Sequence, residues 1–306
     1  MEIFVLGTSG MMPLVNRHLT SVLVRRDGKM YLFDCGEGTQ IALRKADLGW
    51  KGIDSIFISH MHSDHLTGLP GLLMLSSQVD RTEPLHIYGP ALLEEYIESS
   101  RRILDMFINY EIIFHAIEDK DVLFEDDEIA IRTFPLIHTK PCYAFSVTEK
   151  PRPGIFSVDK AVAFGVPKGP MWGRLQRGED VTLENGSVVR SADVVGERRK
   201  GLKFTYVTDT MYFDEIANFA FESDILMIEG MFAHDLQDTA HQKKHMTAVE
   251  AAAVAKDSMS RDAYLMHYSP RYADSELRFL LKDARSIYDR MHLAKDGMSM
   301  IAKHED

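Results

Sequence analysis

Cysteine is scarce in this chain: Cys35 and Cys142 are the only two thiols in 306 residues. That excludes a disulfide scaffold and any zinc site of four thiolates, and it fits a reducing cytoplasm. Long apolar runs are also missing. The longest, Gly68 to Leu75, is broken by Pro70 and is far too short to span a bilayer, so no membrane partner is expected. No secretory leader pattern opens the sequence, because Met1 leads straight into Glu2-Ile3-Phe4-Val5-Leu6, which reads as a strand. Positive charge is in deficit. Against 46 Asp and Glu stand 35 Lys and Arg, a net charge of −11, so a uniformly basic nucleic-acid surface is not the default reading.

What remains is the profile of a globular protein, with 45% apolar and 26% charged residues. A chain this long buries roughly three-quarters of its unfolded surface and needs no covalent staples. Charge is uneven along it. Lys150 to Lys203 holds 11 basic and 6 acidic residues, and the remainder holds 24 and 40.

Short β-rich runs come first, at Ile3–Leu6, Ser21–Arg25, Met30–Phe33 and Ser55–Ile58, each ended by Gly, Asp or Ser. The apolar spacing over Ala91–Met106 predicts a helix. Further strands are expected at Ile129–Phe134, Ala144–Val147, Phe204–Val207, Ile225–Ile228 and Ala263–Met266, with helices near Thr247–Asp257 and Ser275–Arg290. Thr247 and Glu250 have capping-box spacing. Strands interleaved with helices throughout predict an α/β layered fold. Between Pro151-Arg152-Pro153-Gly154 and Pro167-Lys168-Gly169-Pro170 the periodicity fades, which predicts a loop-like segment projecting from the body.

The densest chemistry lies in Ser59-His60-Met61-His62-Ser63-Asp64-His65. Four ligand-type side chains in six positions suit a borderline metal bound by imidazole and carboxylate. One segment cannot close two metal sites. Three distant residues share a local pattern, a polar ligand type directly after a strand: His138 after Ile129–Ile137, Asp209 after Phe204–Val207 and His267 after Ala263–Met266. In layered α/β folds, sites gather at such strand ends.

These motifs resemble the metallo-β-lactamase superfamily and, within it, the tRNase Z (ribonuclease Z) family of tRNA 3′-processing endoribonucleases. Phe33-Asp34-Cys35-Gly36-Glu37-Gly38-Thr39-Gln40 is similar to the first motif of that family, and His60–His65 to the second. His138, Thr208-Asp209-Thr210, Glu229 in Met227-Ile228-Glu229-Gly230-Met231, Lys244-His245-Met246-Thr247 and His267-Tyr268-Ser269-Pro270-Arg271-Tyr272 resemble the remaining motifs. The resemblance implies an αββα four-layer sandwich over residues 1–306 with a protruding flexible arm near 150–178. It implies two Zn²⁺ per chain, with Mn²⁺ or Fe²⁺ able to occupy the same sites. His60, His62 and His138 would hold one ion, Asp64, His65 and His267 the other, and Asp209 would bridge them. Asp64 would also take a proton from the attacking water, Glu229 and His245 would serve the leaving group, and Asp34 would orient a ligand histidine. Precursor tRNA is the implied partner and a homodimer the implied assembly. Gly169, Pro170, Trp172 and Arg174 resemble the tip of the tRNA-gripping arm, and Arg17 and Arg271 are the other implied substrate contacts.

One stretch departs from the pattern. Where the family commonly has Pro-x-Lys-x-Arg-Asn, this chain has Pro13-Leu14-Val15-Asn16-Arg17-His18, which leaves the cleavage position and the rejection of CCA ends open. Two other readings also stand on the sequence: a small-molecule phosphodiesterase or thioesterase of the superfamily, and a non-catalytic RNA-binding module.

Overall fold

The computed structural model describes residues 1–118 and 120–304. Its strands, in chain order, are β1 (Glu2–Gly7), β2 (Ser21–Arg26), β3 (Lys29–Phe33), β4 (Ile53–Phe57), β5 (Leu85–Gly89), β6 (Ile112–Ala116), β7 (Val122–Glu125), β8 (Ile129–Leu136), β9 (Cys142–Glu149), β10 (Val181–Thr182), β11 (Val188–Val189), β12 (Lys203–Val207), β13 (Ile225–Glu229), β14 (Asp262–Met266), β15 (Met291–Leu293) and β16 (Ser299–Ile301). Two seven-stranded sheets result, ordered β16-β1-β2-β3-β4-β5-β6 and β15-β14-β13-β12-β9-β8-β7. β3 to β6 pair in parallel, as do β12 to β15.

Alternation along the strands builds the layers, because successive side chains point to opposite faces. Leu32, Ile56 and Ile87 lie in register and join a buried cluster with Leu43, Leu69, Leu72, Leu93 and Ile97 of the covering helices. One residue further on, Phe33, Phe57 and Tyr88 form the opposite face, with ring centroids 5.1 and 4.7 Å apart. Phe33 also meets Phe145, Phe204 and Tyr206 of the second sheet at 5.7, 5.8 and 5.9 Å, so aromatic rings fill the space between the sheets. The other face of the second sheet sets Val207, Leu226, Ile228, Ala263 and Leu265 against Ala251, Ala255, Leu277 and Leu280 of its helices. Helix, sheet, sheet and helix give the four-layer α/β sandwich. Each fully buried ring or branched aliphatic stabilises it by about 1.5–3 kcal/mol.

Local rules are obeyed where the sequence is explicit. Pro70 sits in the first turn of the helix Leu69–Gln78, where its missing N–H costs nothing. The helix Ala248–Asp257 starts with the expected capping box: Glu250 N donates to Thr247 Oγ1 at 3.3 Å, and Thr247 N to Glu250 Oε2 at 2.9 Å. The last helix is shorter than Ser275–Arg290 and runs Leu277–Arg285, because the chain must turn back for β15 to pair with β14. No helix among the described residues is long and apolar enough to cross a membrane.

The chain divides into two compact units, residues 1–126, 130–147 and 202–306 in one, and 127–129 with 148–201 in the other. The second unit holds helices where the sequence reads as loop: Val158–Ala163, Pro170–Gln176 and Ser191–Val194, beside the hairpin β10–β11. It has its own small core of Ala161, Val166, Leu175, Val181, Val189 and Val194. Its ends are joined where Arg152 N donates to Arg199 O at 2.8 Å and Arg199 N to Arg152 O at 2.9 Å.

Candidate metal centre and nuclease site

The site gathers from strand ends. Asp34 follows β3, Glu229 ends β13, Asp209 lies two residues beyond β12, and His267 follows β14. His138 lies two residues beyond β8, and a 3-10 turn over Ser63–His65 carries Asp64 and His65. Asp34 and His267 are left-handed, with φ of 55° and 56°, which swings each side chain off its strand direction.

Two groups of donors form. In the first, His60 Nε2 lies 2.9 Å and His138 Nε2 3.1 Å from His62 Nδ1. In the second, His65 Nε2 and His267 Nε2 are 3.2 Å apart, and Asp64 Oδ2 lies 3.4 Å from His267 Nε2. Asp209 faces both. Its Oδ2 is 3.7 Å from His60 Nε2 and from His138 Nε2, and its Oδ1 is 3.3 Å from His65 Nε2 and 3.2 Å from His267 Nε2. A tetrahedron with metal–nitrogen bonds of 2.0–2.1 Å has edges of about 3.3 Å, so most of these spacings suit ligands sharing an ion.

The outer hydrogen bonds fix which nitrogen is bare. His138 Nδ1–H donates to Lys244 O at 2.9 Å, and His65 Nδ1–H to Asp34 Oδ2 at 2.7 Å. Ser59 Oγ donates to Asp34 Oδ2 at 2.9 Å and so accepts from His60 Nδ1–H at 3.0 Å. Nε2 of all three rings is left as a lone pair aimed inward. His62 uses the opposite nitrogen, its Nε2 lying 3.3 Å from Thr139 Oγ1. Burial holds His60, His62 and His138 below the ordinary imidazole range. Burial would lower His65 as well, but the carboxylates of Asp209, Asp34 and Asp64 outweigh it and push it up. Burial would raise Asp209, yet His267 and His65 hold it well below the usual carboxylate range. Imidazole lone pairs packed around carboxylate charge make a donor set that a divalent cation satisfies.

Close packing protects this geometry. A side chain at Gly10 would strike the His267 ring at 2.6–3.0 Å, and one at Gly36 would come within 2.5 Å of Asp64 O. Met11 N donates to Asp64 Oδ2 at 2.6 Å.

Beside the donors stands the pair Glu229 and His245, with His245 Nδ1 3.1 Å from Glu229 Oε1. Thr210 N donates to the same oxygen at 2.6 Å. Burial would lower the His245 imidazole, but the Glu229 carboxylate outweighs it and raises it to about 9. The His245 ring lies 4.9 Å from that of His138 and 5.7 Å from that of His267.

The expected substrate contacts are dispersed. Arg17 is buried at 4% exposure; its Nη2 donates to Tyr272 O at 2.5 Å and its Nε is 3.1 Å from Asp274 Oδ1. Arg271 is exposed, 5.0 Å above the Phe232 ring. Gly169, Pro170, Trp172 and Arg174 belong to the second unit. Gly169 precedes the helix opened by Pro170, Trp172 Nε1 donates to Val166 O at 3.2 Å, and Arg174 pairs with Glu179 at 2.9 Å. An open groove in that unit is lined by Arg152, Phe156, Trp172, Arg177 and Arg199.

Sequence reasoning missed Ser59 and Tyr206, which with His65 share Asp34, Tyr206 Oη donating to Asp34 Oδ2 at 2.6 Å. It also missed the Lys244 carbonyl. Ser59 adjoins the His-x-His-x-Asp-His run and offered a signal; the other two offered none.

The family model described as anti-Pycsar protein Apyc1 matches residues 1–162. The protein of Treponema denticola named ribonuclease Z is 52% identical over 306 residues, covering 100% of this chain and 99% of its own. Human tRNase Z, short form, superposes with a TM-score of 0.73 at 26% identity, covering 99% of this chain and 100% of its own. A metallo-β-lactamase fold protein from Bacillus subtilis shares the fold, with a TM-score of 0.68 at 20% identity over 98% of each chain. With likeness running the full length and the donor residues in place, this chain belongs to the ribonuclease Z family of metallo-β-lactamase-fold proteins.

Proposed function

We propose that the chain is a metal-dependent endoribonuclease that removes the 3′ trailer from tRNA precursors and leaves a 3′-hydroxyl on the tRNA. The observation that carries this reading is the placement of Asp209 between two donor groups, next to the Glu229–His245 pair. His60, His62 and His138 would hold one ion and Asp64, His65 and His267 the second, with Asp209 facing both; Zn²⁺ would suit the donors best, with Mn²⁺ or Fe²⁺ as substitutes. Such a pair, when bound, would supply Lewis acidity toward the phosphoryl oxygens and would acidify water.

The chain's own groups do the rest. Asp64 accepts the proton of the attacking water. As the bond from phosphorus to the tRNA O3′ breaks, protonated His245, held by Glu229, delivers a proton to O3′. Asp34 holds His65 directly and His60 through Ser59, so one carboxylate keeps both rings in the metal-binding tautomer. The stretch from Lys150 to Lys203, with 11 basic and 6 acidic residues, grips precursor tRNA through phosphate contacts and aromatic surface. A homodimer in the cytoplasm completes the reading, and the buried thiols of Cys35 and Cys142 accord with a reducing compartment. Incubating metal-loaded protein with a tRNA precursor and mapping both new ends tests the reaction. The expected products are a tRNA 3′-hydroxyl and a trailer 5′-phosphate; a cyclic phosphate on the tRNA would reject it.

The metal assignment has its own check. His138→Ala removes one of three imidazoles from the first group. Elemental analysis should then fall from two ions per chain toward one, with affinity at that site weakened by at least about 10–100-fold. Native protein purified without chelator and carrying no transition metal would sink the dinuclear assignment.

A further inference from the structure

Phe232 lies where the loops after β13 and β14 meet the turn that leads into the helix Ala248–Asp257. Ala248 N donates to Phe232 O at 2.9 Å, Ser269 N to Met231 O at 3.3 Å, and Ala233 N to Tyr272 Oη at 3.0 Å. The ring is fully buried, yet two exposed cations from different loops lie over it: the Arg271 guanidinium 5.0 Å and the Lys243 ammonium 6.0 Å from its centroid. The His245 ring is 6.1 Å away. Among the described residues, neither Lys243 nor Arg271 pairs with a carboxylate. Two cationic side chains thus share one apolar ring in a chain of net charge −11, although like charges repel. The ring offers both cations a quadrupole that strengthens with desolvation and fixes where their charged ends stand.

We infer that Lys243 and Arg271, floored by Phe232, form a seat for an RNA backbone phosphate beside His245. The seat, which rests on the ribonuclease reading, engages a phosphate next to the scissile one and so sets which linkage faces the donors. Phe232 is a positioning residue, acting through the two cations.

The test uses the metal-loaded enzyme and one tRNA precursor, with KM and kcat measured from low to high KCl. Each lost phosphate contact should flatten the dependence of log KM on log salt by about 0.7–0.9. Lys243→Ala and Arg271→Ala should therefore each raise KM about tenfold near 50 mM salt and much less near 1 M, with kcat little changed. Lys243→Arg should restore the native slope, and Lys282→Ala, on the outer helix Leu277–Arg285, should not alter it. Phe232→Leu should flatten the slope while bound metal per chain is kept, and Phe232→Tyr should retain it. Unchanged salt slopes in both alanine variants, or losses confined to kcat, overturn the seat. If Phe232→Leu does not fold, the two cation variants decide alone. Failure of the ribonuclease reading is visible separately, as native enzyme that yields no 3′-hydroxyl tRNA end.

Discussion

Replacing His245 by alanine is expected to lower precursor cleavage by about 10²–10⁴-fold while bound metal per chain stays native. A competing placement exists, because His245 also lies close enough to Asp209 and His267 to share an ion with them. The Glu229 carboxylate already occupies Nδ1 at 3.1 Å and raises the imidazole to about 9, the setting of a proton donor, and the metal content of the variant separates the two placements. Asp64→Ala should also abolish turnover, but with loss of metal. Equal metal loss in the two variants would reverse the His245 assignment. The pH dependence has a definite sign. The folded value lies above the ordinary 6.5, so the charged pair adds stability fully below 6.5 and loses it as pH rises through about 9. The rate should fall over the same alkaline limb, and His245→Ala should erase that limb.

The second large effect concerns residues 152–199. Because Arg152 and Arg199 close the second unit through paired backbone hydrogen bonds, a short Gly-Ser link can replace it at that point. The core of Ala161, Val166, Leu175, Val181, Val189 and Val194 leaves with it, so no half-core is exposed. Removing only Pro151 to Arg177 would strand β10, β11 and the helix Ser191–Val194, and is the poorer experiment. Precursor KM should rise by about 100-fold or more, and its salt dependence should flatten. Hydrolysis of bis(p-nitrophenyl) phosphate, which has no elbow to grip, should change little. Equal loss on both substrates would make the unit a support of the fold. Full retention of precursor cleavage would remove it from RNA binding.

The donor residues were legible because ligand types directly followed β-rich runs, and strand ends are where such folds collect their sites. His138, Asp209 and His267, far apart in sequence, met for that reason. Tyr206 was not legible. Inside β12 it reads as a core aromatic, and only the crossing of two sheets shows that its hydroxyl belongs to Asp34. The burial of Arg17 was not legible, because a guanidinium in a surface-like loop gives no hint that Tyr272 and Asp274 will meet it. Helices of six and seven residues in the second unit make under two turns, too few for a 3.6-residue period to show between Pro and Gly. Strands β5 and β6 were overlooked, since His86 and His115 interrupt their apolar runs.

Asp34 ties together elements that a hydrolase could have kept apart. Its carboxylate accepts from Ser59 and His65 of the first layer pair and from Tyr206 of the second sheet. The ruler that spaces the metal ligands is therefore also a rivet between the sheets. Slippage of one sheet against the other releases the His65 ring, and loss of the ring loosens the seam. Heat inactivation and heat unfolding then become a single event, with no warm state that is intact but idle. Improvements to the aromatic filling around Phe33 and Phe57 would retune the catalytic centre as well as the melting point.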